Sequence, residues 1–255
     1  MTKIKSFIEL NKKELICVFL ASLFFSIINS LYADHILNNW IKTHNIGVKI
    51  SGIDFLIIGN LTLTNTLIIY PTVLGIIILN YIQKKERYLI LVRTVSRLDL
   101  IANNMINSYI LMLLYMCFVM IDSLIFGCFN SEKMINYNLK DSYFFIKNGI
   151  VILKGTSIFN LIVLITLALM LMLLEISLIH FLYLLIKNKI IALLIYIIAA
   201  GLVLSSLSKN GFARNGDYRF YLLSNKVHIM IFTAVIALFI LLINSIIYAK
   251  KDFYN

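Results

Sequence analysis

Residues 158–186 read IFNLIVLITLALMLMLLEISLIHFLYLLI, and this stretch decides the fold. A helix needs about 20 residues to cross the hydrocarbon core of a bilayer. This run is longer, it contains neither proline nor glycine, and a single carboxylate, Glu175, interrupts it. Working outward, comparable apolar runs occupy 15–32, 53–82, 100–127, 190–207 and 228–248. The pattern predicts an all-α integral membrane protein with about six transmembrane helices, forming a single transmembrane domain over 1–255. Runs 53–82, 100–127 and 158–186 exceed the minimum length, so tilting, kinking or projection beyond the bilayer is expected of them.

Composition agrees. The chain of 255 residues is 61% hydrophobic and 14% charged, with a mean hydropathy of +0.92. A soluble domain is nearer about 45–50% apolar and about 25% charged. A soluble fold of this length has too little interior to hide that much apolar surface. One proline and ten glycines suit helices that satisfy their own backbone in lipid. The alternating segments of a transmembrane β-barrel are absent.

Residues 1–14 place Ile4, Phe7 and Ile8 on one helical face among Lys3, Lys5, Lys12 and Lys13. This predicts an interfacial helix lying on the membrane rather than a cleaved signal. With the N-terminus inside, thirteen Lys and Arg fall on the cytoplasmic side and ten on the other, and the inner loops are shorter. The higher positive density orients the chain N-in and C-in. The outer segment 129–157 carries Tyr143-Phe144-Phe145-Ile146, expected against the membrane surface. Asn215-Gly216-Asp217 marks a turn in the last outer loop.

Several chemistries are excluded. The net charge of +11 resides in short segments between apolar runs, where it anchors helices to lipid headgroups, so no nucleic-acid partner is implied. Cys17, Cys117 and Cys128 lie in or beside apolar runs, without metal or disulfide spacing. No phosphate-cradling G-x-x-x-x-G-K-[ST], no H-E-x-x-H and no G-x-S-x-G occurs. The sequence therefore predicts no catalytic residue, no metal and no cofactor; it does not read as an enzyme.

Polar groups inside the spans carry the functional expectation, because an ionisable side chain in hydrocarbon costs several kcal/mol unless paired or neutral. Glu175 lies deep in its span and Asp122 nearer an outer end. Each is a substrate-path candidate, or else a helix–helix hydrogen-bonding group or a headgroup contact. A polar patch runs from Asn60 through Thr62, Thr64 and Asn65 to Thr66, followed by Pro71. Asn60, Thr64 and Pro71 are candidates for the wall of a translocation path, against the plainer alternative of a polar helix end.

Between the second and third runs the chain reads YIQKKERYLILVRTVSRLDLIANNMIN over 81–107. Basic residues precede a short apolar stretch at 89–92, and Ser96 with Asp99 forms a capping-box-like start to the next helix. This loop, 83–99, resembles the one joining the second and third spans of ABC-2 type transporter permeases, through Glu86, the 89–92 stretch and Ser96-Arg97. The N-terminal segment resembles that family's elbow helix, and Lys250-Lys251-Asp252-Phe253 its basic ending. Where the family often has a lysine, this chain has Asn103 and Asn104. The resemblance implies a permease subunit in a bacterial plasma membrane, with a second permease subunit, identical or different, and two copies of a cytosolic ATP-binding subunit. It implies that Glu86, Arg93, Ser96, Arg97 and Asp99 couple to the ATPase, and it points to export of peptides or other amphipathic compounds, including bacteriocin self-protection. An ion-coupled carrier and a non-transport immunity or sensor protein remain alternatives.

Overall fold

The computed structural model describes residues 12–44, 49–62, 64–92, 97–136 and 154–209, with single positions at 139, 142, 143, 235 and 243. Within them the chain is almost entirely helical, and only two isolated bridges depart from that. The α-helices are α1 (Lys12–His44), α2 (Gly52–Phe55), α3 (Tyr70–Val92), α4 (Arg97–Asn130), α5 (Lys154–Ile186) and α6 (Lys189–Lys209). Two π-helical turns, Leu56–Asn60 and Asn65–Ile69, precede α3. Five segments among the described residues are long and apolar enough to cross a membrane: Lys12–Thr43, Asn65–Lys84, Asn104–Asn130, Ile165–Ile186 and Lys189–Ser206. The expected sixth run at 228–248, the turn at 215–217, the C-terminal tail and residues 1–11 lie outside the described residues. Of the expected interfacial helix, Lys12, Lys13 and Glu14 form the first turn of α1.

α3 is the central helix. Tyr70, Leu74, Ile78 and Ile82 repeat every four residues along one face, and all are fully buried. They join Leu111, Met112, Tyr115, Met116 and Val119 of α4, Met172, Ile176 and Ile179 of α5, and Ala192 and Tyr196 of α6 in one core. The outer surface is also apolar: Leu20, Phe24 and Leu31 of α1 and Ile190, Ile198 and Leu202 of α6 are exposed. A bundle apolar inside and out has the composition of a chain whose surroundings are lipid rather than water.

α1 is longer than the run at 15–32 predicts. Among the side chains described, its exposed apolar ones stop at Tyr32, after which the exposed positions are polar, such as His35, Asn38, Asn39 and Lys42. The helix nevertheless continues to His44 because a second, smaller core holds it: Ala33 and Leu37 pack with Phe55 and Tyr143. The 49–53 strip pairs with the segment after α4, through Gly52 N–H to the Lys133 carbonyl at 3.0 Å, Ile53 N–H to the Met134 carbonyl at 3.1 Å and Tyr143 N–H to the Lys49 carbonyl at 3.2 Å. Tyr143 is thus buried in protein and does not lie on the membrane surface; Phe144, Phe145 and Ile146 lie outside the described residues. Asp54 closes the start of α2, accepting hydrogen bonds from the Ser51 backbone N–H and hydroxyl, both at 2.8 Å. Gly52 and Gly127 let the two backbones touch: a Cβ on Gly127 would stand 2.3 Å from the Gly52 carbonyl oxygen.

The opposite end is braced by side chains. Lys84 of α3 faces Glu14 of α1 at 3.7 Å, and Lys189 of α6 donates to the Asn80 amide oxygen at 2.6 Å. α5 turns into α6 through Lys187, whose φ of 57° is left-handed, and Asn188, whose side-chain oxygen caps the Ile190 N–H at 3.0 Å. Beyond these braces α3 runs on to Val92, and α4 begins at Arg97. Most of the expected coupling loop 83–99 is therefore helix. Glu86 falls within α3 and Arg97 and Asp99 within the first turn of α4; Arg93 and Ser96 lie outside the described residues.

Candidate functional site

The run 53–82 is divided rather than continuous. α2 and the first π-turn end at Asn60, and a second π-turn starts at Asn65 and leads into α3. The polar patch supplies the physical reason. Side chains of Asn, Ser and Thr offer backbone groups an alternative to the helical ladder, and here they take it. The Asn65 side-chain amide donates to the Gly59 carbonyl at 2.6 Å, the Thr66 hydroxyl to the Thr62 carbonyl at 2.9 Å, and the Asn65 N–H to the Thr62 hydroxyl at 3.2 Å. Non-helical backbone at membrane depth persists only where protein groups satisfy it in this way.

Asn60, fully buried, is the hub of a polar cluster that α1, α3 and α4 all reach. Its amide nitrogen donates to the Ser123 hydroxyl at 2.7 Å. Its amide oxygen accepts from the Tyr70 hydroxyl at 2.6 Å and from the Asn29 side chain at 3.3 Å, while Asn29 also donates to the Tyr70 hydroxyl at 3.0 Å. Ser123 passes its own proton to the Val119 carbonyl at 2.5 Å. Gly59 admits α1 beside this hub, since a Cβ there would lie 2.6 Å from the Asn29 carbonyl oxygen. Tyr70 stacks edge-on against Tyr115, centroids 5.3 Å apart.

The other side of the break faces α5 and α6. Pro71 has no N–H, so the carbonyl four residues earlier, that of Leu67, lacks its helical donor. Tyr196 of α6 supplies one: its hydroxyl donates to the Leu67 carbonyl. Two further polar pairs join α4 to α5, Ser108 with His180 at 3.0 Å and Tyr109 with Ser177 at 2.8 Å.

The expected path residues are therefore distributed unevenly around one feature. Asn60 and Pro71 belong to the break, and Glu175 is buried on α5, which packs against the second π-turn. Asp122 sits one residue from Ser123 and accepts from the Ser26 hydroxyl at 3.0 Å. Thr64 is exposed and stands apart from the cluster. Asn29, Tyr70, Ser123 and Tyr196 complete the arrangement without having been singled out from the sequence. Asn29 and Ser123 carried the same signal as Asp122, a polar side chain inside an apolar run. Tyr196 carried none, because its role depends on a proline in another helix. Chemically the arrangement is a hydrogen-bonded brace; among the described residues no three His, Cys, Asp or Glu side chains are grouped to hold a metal. No protein-family model matches the chain, and neither a curated protein nor a solved structure is detectably similar to it.

Proposed function

We propose that this chain is the membrane-spanning permease subunit of an ATP-driven transporter of ABC-2 type, with six spans and both termini inside a bacterial plasma membrane. The observation that supports this reading is the helical extension of α3 and α4 beyond the apolar segments. The apolar segment that ends at Lys84 continues as helix to Val92, and α4 restarts at Arg97 after four residues. α3 is braced at its base by Glu14 and Lys189. A helical projection anchored in this way transmits a push from a docked cytosolic protein into the bundle rather than absorbing it.

On this reading two ATP-binding subunits dock on the 83–99 projection through Glu86, Arg93, Ser96, Arg97 and Asp99. A second permease subunit, of the same or another chain, completes the path. The broken span with its Asn60 cluster lines the route of an amphipathic cargo such as a peptide. Mild-detergent purification from native membranes, followed by mass spectrometry, tests it: an ATPase should accompany the chain in stoichiometric amount and be lost when Glu86, Arg93 and Arg97 are changed together to alanine. A well-folded preparation without an ATPase refutes the reading. It would favour an ion-coupled carrier, for which the buried carboxylate Glu175 is the supporting observation.

A further inference from the structure

The side chains that brace the base of α3 carry more positive charge than the brace itself uses. Ile76, Asn80 and Lys84 recur every four residues and are all exposed, so they form one row along α3. Two helices meet this row. Lys84 faces Glu14 of α1 at 3.7 Å, and Lys189 of α6 donates to the Asn80 amide oxygen at 2.6 Å. Gly75, next to Ile76, keeps α6 close, since a Cβ there would stand 2.9 Å from the Leu193 side chain. We infer that this seam seats one anionic phospholipid, its phosphate on Lys84, Lys189 and the Asn80 amide and its acyl chains along Ile76 and Ile190.

Charge and hydrogen bonding both ask for an anion. Lys84 and Lys189 bring two ammonium groups to one neutral amide, and like charges gathered in this way repel unless a negative group joins them. Glu14 answers Lys84 alone, at a distance beyond a direct hydrogen bond. An ammonium has three protons and a primary amide two. Asn80 takes one proton from Lys189, and among the described residues no acceptor serves the rest of that ammonium or the Asn80 amide nitrogen. Phosphate oxygens are the acceptors that such a group of donors fits.

Position selects a lipid over a free phosphate. Lys84 closes the apolar segment Asn65–Lys84, the level at which headgroups give way to acyl chains. Ile76 lies two turns away, about 12 Å along α3 at 1.5 Å per residue, and is 49% exposed. Ile190, beside Lys189, is 62% exposed. A phosphate with no chain attached would leave both uncovered. The seat requires neither an ATPase nor a cargo, so its test can fail while the permease reading stands.

Native mass spectrometry of the full chain in mild detergent, titrated with phosphatidylglycerol or with phosphatidylcholine of the same acyl chains, reads the first lipid bound. The wild type should bind phosphatidylglycerol about 25-fold more tightly, because each interfacial lysine contributes about five-fold toward an anionic headgroup. Lys84→Gln combined with Lys189→Gln should abolish this preference and leave phosphatidylcholine affinity unchanged, which reports an intact fold. Lys84→Arg combined with Lys189→Arg should keep it. Glu14→Gln should sharpen it, because a negative neighbour of the phosphate is gone; a purely structural brace would only loosen. Lys12→Gln, exposed on the opposite face of α1 from Glu14, should leave it unchanged. Equal binding of the two lipids by the wild type, or a preference that survives the paired glutamine variant, overturns the inference. So does an equal loss in Lys12→Gln, which would mean diffuse surface charge rather than a seat.

Discussion

Replacing Asn60 by alanine is the sharpest test of the polar hub. The side chain is fully buried, accepts from Tyr70 at 2.6 Å and Asn29 at 3.3 Å, and donates to Ser123 at 2.7 Å. Its loss leaves the Tyr70 hydroxyl without an acceptor and one Asn29 amide proton unserved. Ser123 still donates to Val119 and loses only an incoming bond. An orphaned buried donor costs about 1–3 kcal/mol, so two of them set an upper range of about 2–6 kcal/mol. Polar pairs between transmembrane helices average nearer about 0.6 kcal/mol each, which for three bonds sets a lower bound of about 2 kcal/mol. The two estimates meet at about 2 kcal/mol, large enough to resolve by reversible unfolding in mixed micelles followed by circular dichroism. A double-mutant cycle with Tyr70→Phe isolates the shared bond. Its two members are in direct contact, so a coupling of about 0.5–1.5 kcal/mol is expected. A change below about 0.5 kcal/mol for Asn60→Ala, together with strict additivity in the cycle, would refute the hub, since such small effects typify surface sites.

Two packing predictions accompany it. Gly127→Ala places a Cβ 2.3 Å from the Gly52 carbonyl oxygen, so the backbone at Gly52 must shift; destabilisation of about 1–3 kcal/mol is expected, and an unaltered midpoint would contradict the close approach. Lys187→Gly removes the strain of a left-handed residue at φ 57° and should raise stability by about 1 kcal/mol in the same unfolding assay, whereas a loss would mean that the lysine side chain matters more than its backbone.

The apolar helices were legible because period and length are local properties of the chain. The run at 158–186 lies within α5, Lys154–Ile186, and the run at 190–207 within α6, Lys189–Lys209; the hydroxyls of Thr166, Ser177 and Ser205 bond back to carbonyls one turn earlier and leave the ladder intact. The run at 53–82 reads as one span by hydropathy alone, yet Asn65 and Thr62 turn their side chains onto the backbone and divide it. Pro71 was visible as a potential kink; which atom would answer for its missing donor was not, because Tyr196 is far away in sequence. The overrun of α1 to His44 was equally hidden. It depends on Phe55 and Tyr143 arriving from two separate connections. Asn60 was found because it is polar in an apolar run, a signal that Asn29 shared and that a search confined to ionisable groups passes over.

The overrun of α1 also turns that helix into a mast. Twelve residues past Tyr32 rise about 18 Å at 1.5 Å per residue, so a tilt of about 10° at Tyr32 swings the tip by about 3 Å. Because the second core clamps this mast to the ends of α2 and α4, its swing is shared by those elements. Sub-ångström rearrangements around Asn29, halfway down the same rod, are thereby magnified at the exposed Asn38 and Asn39, where an attached spin label would register them.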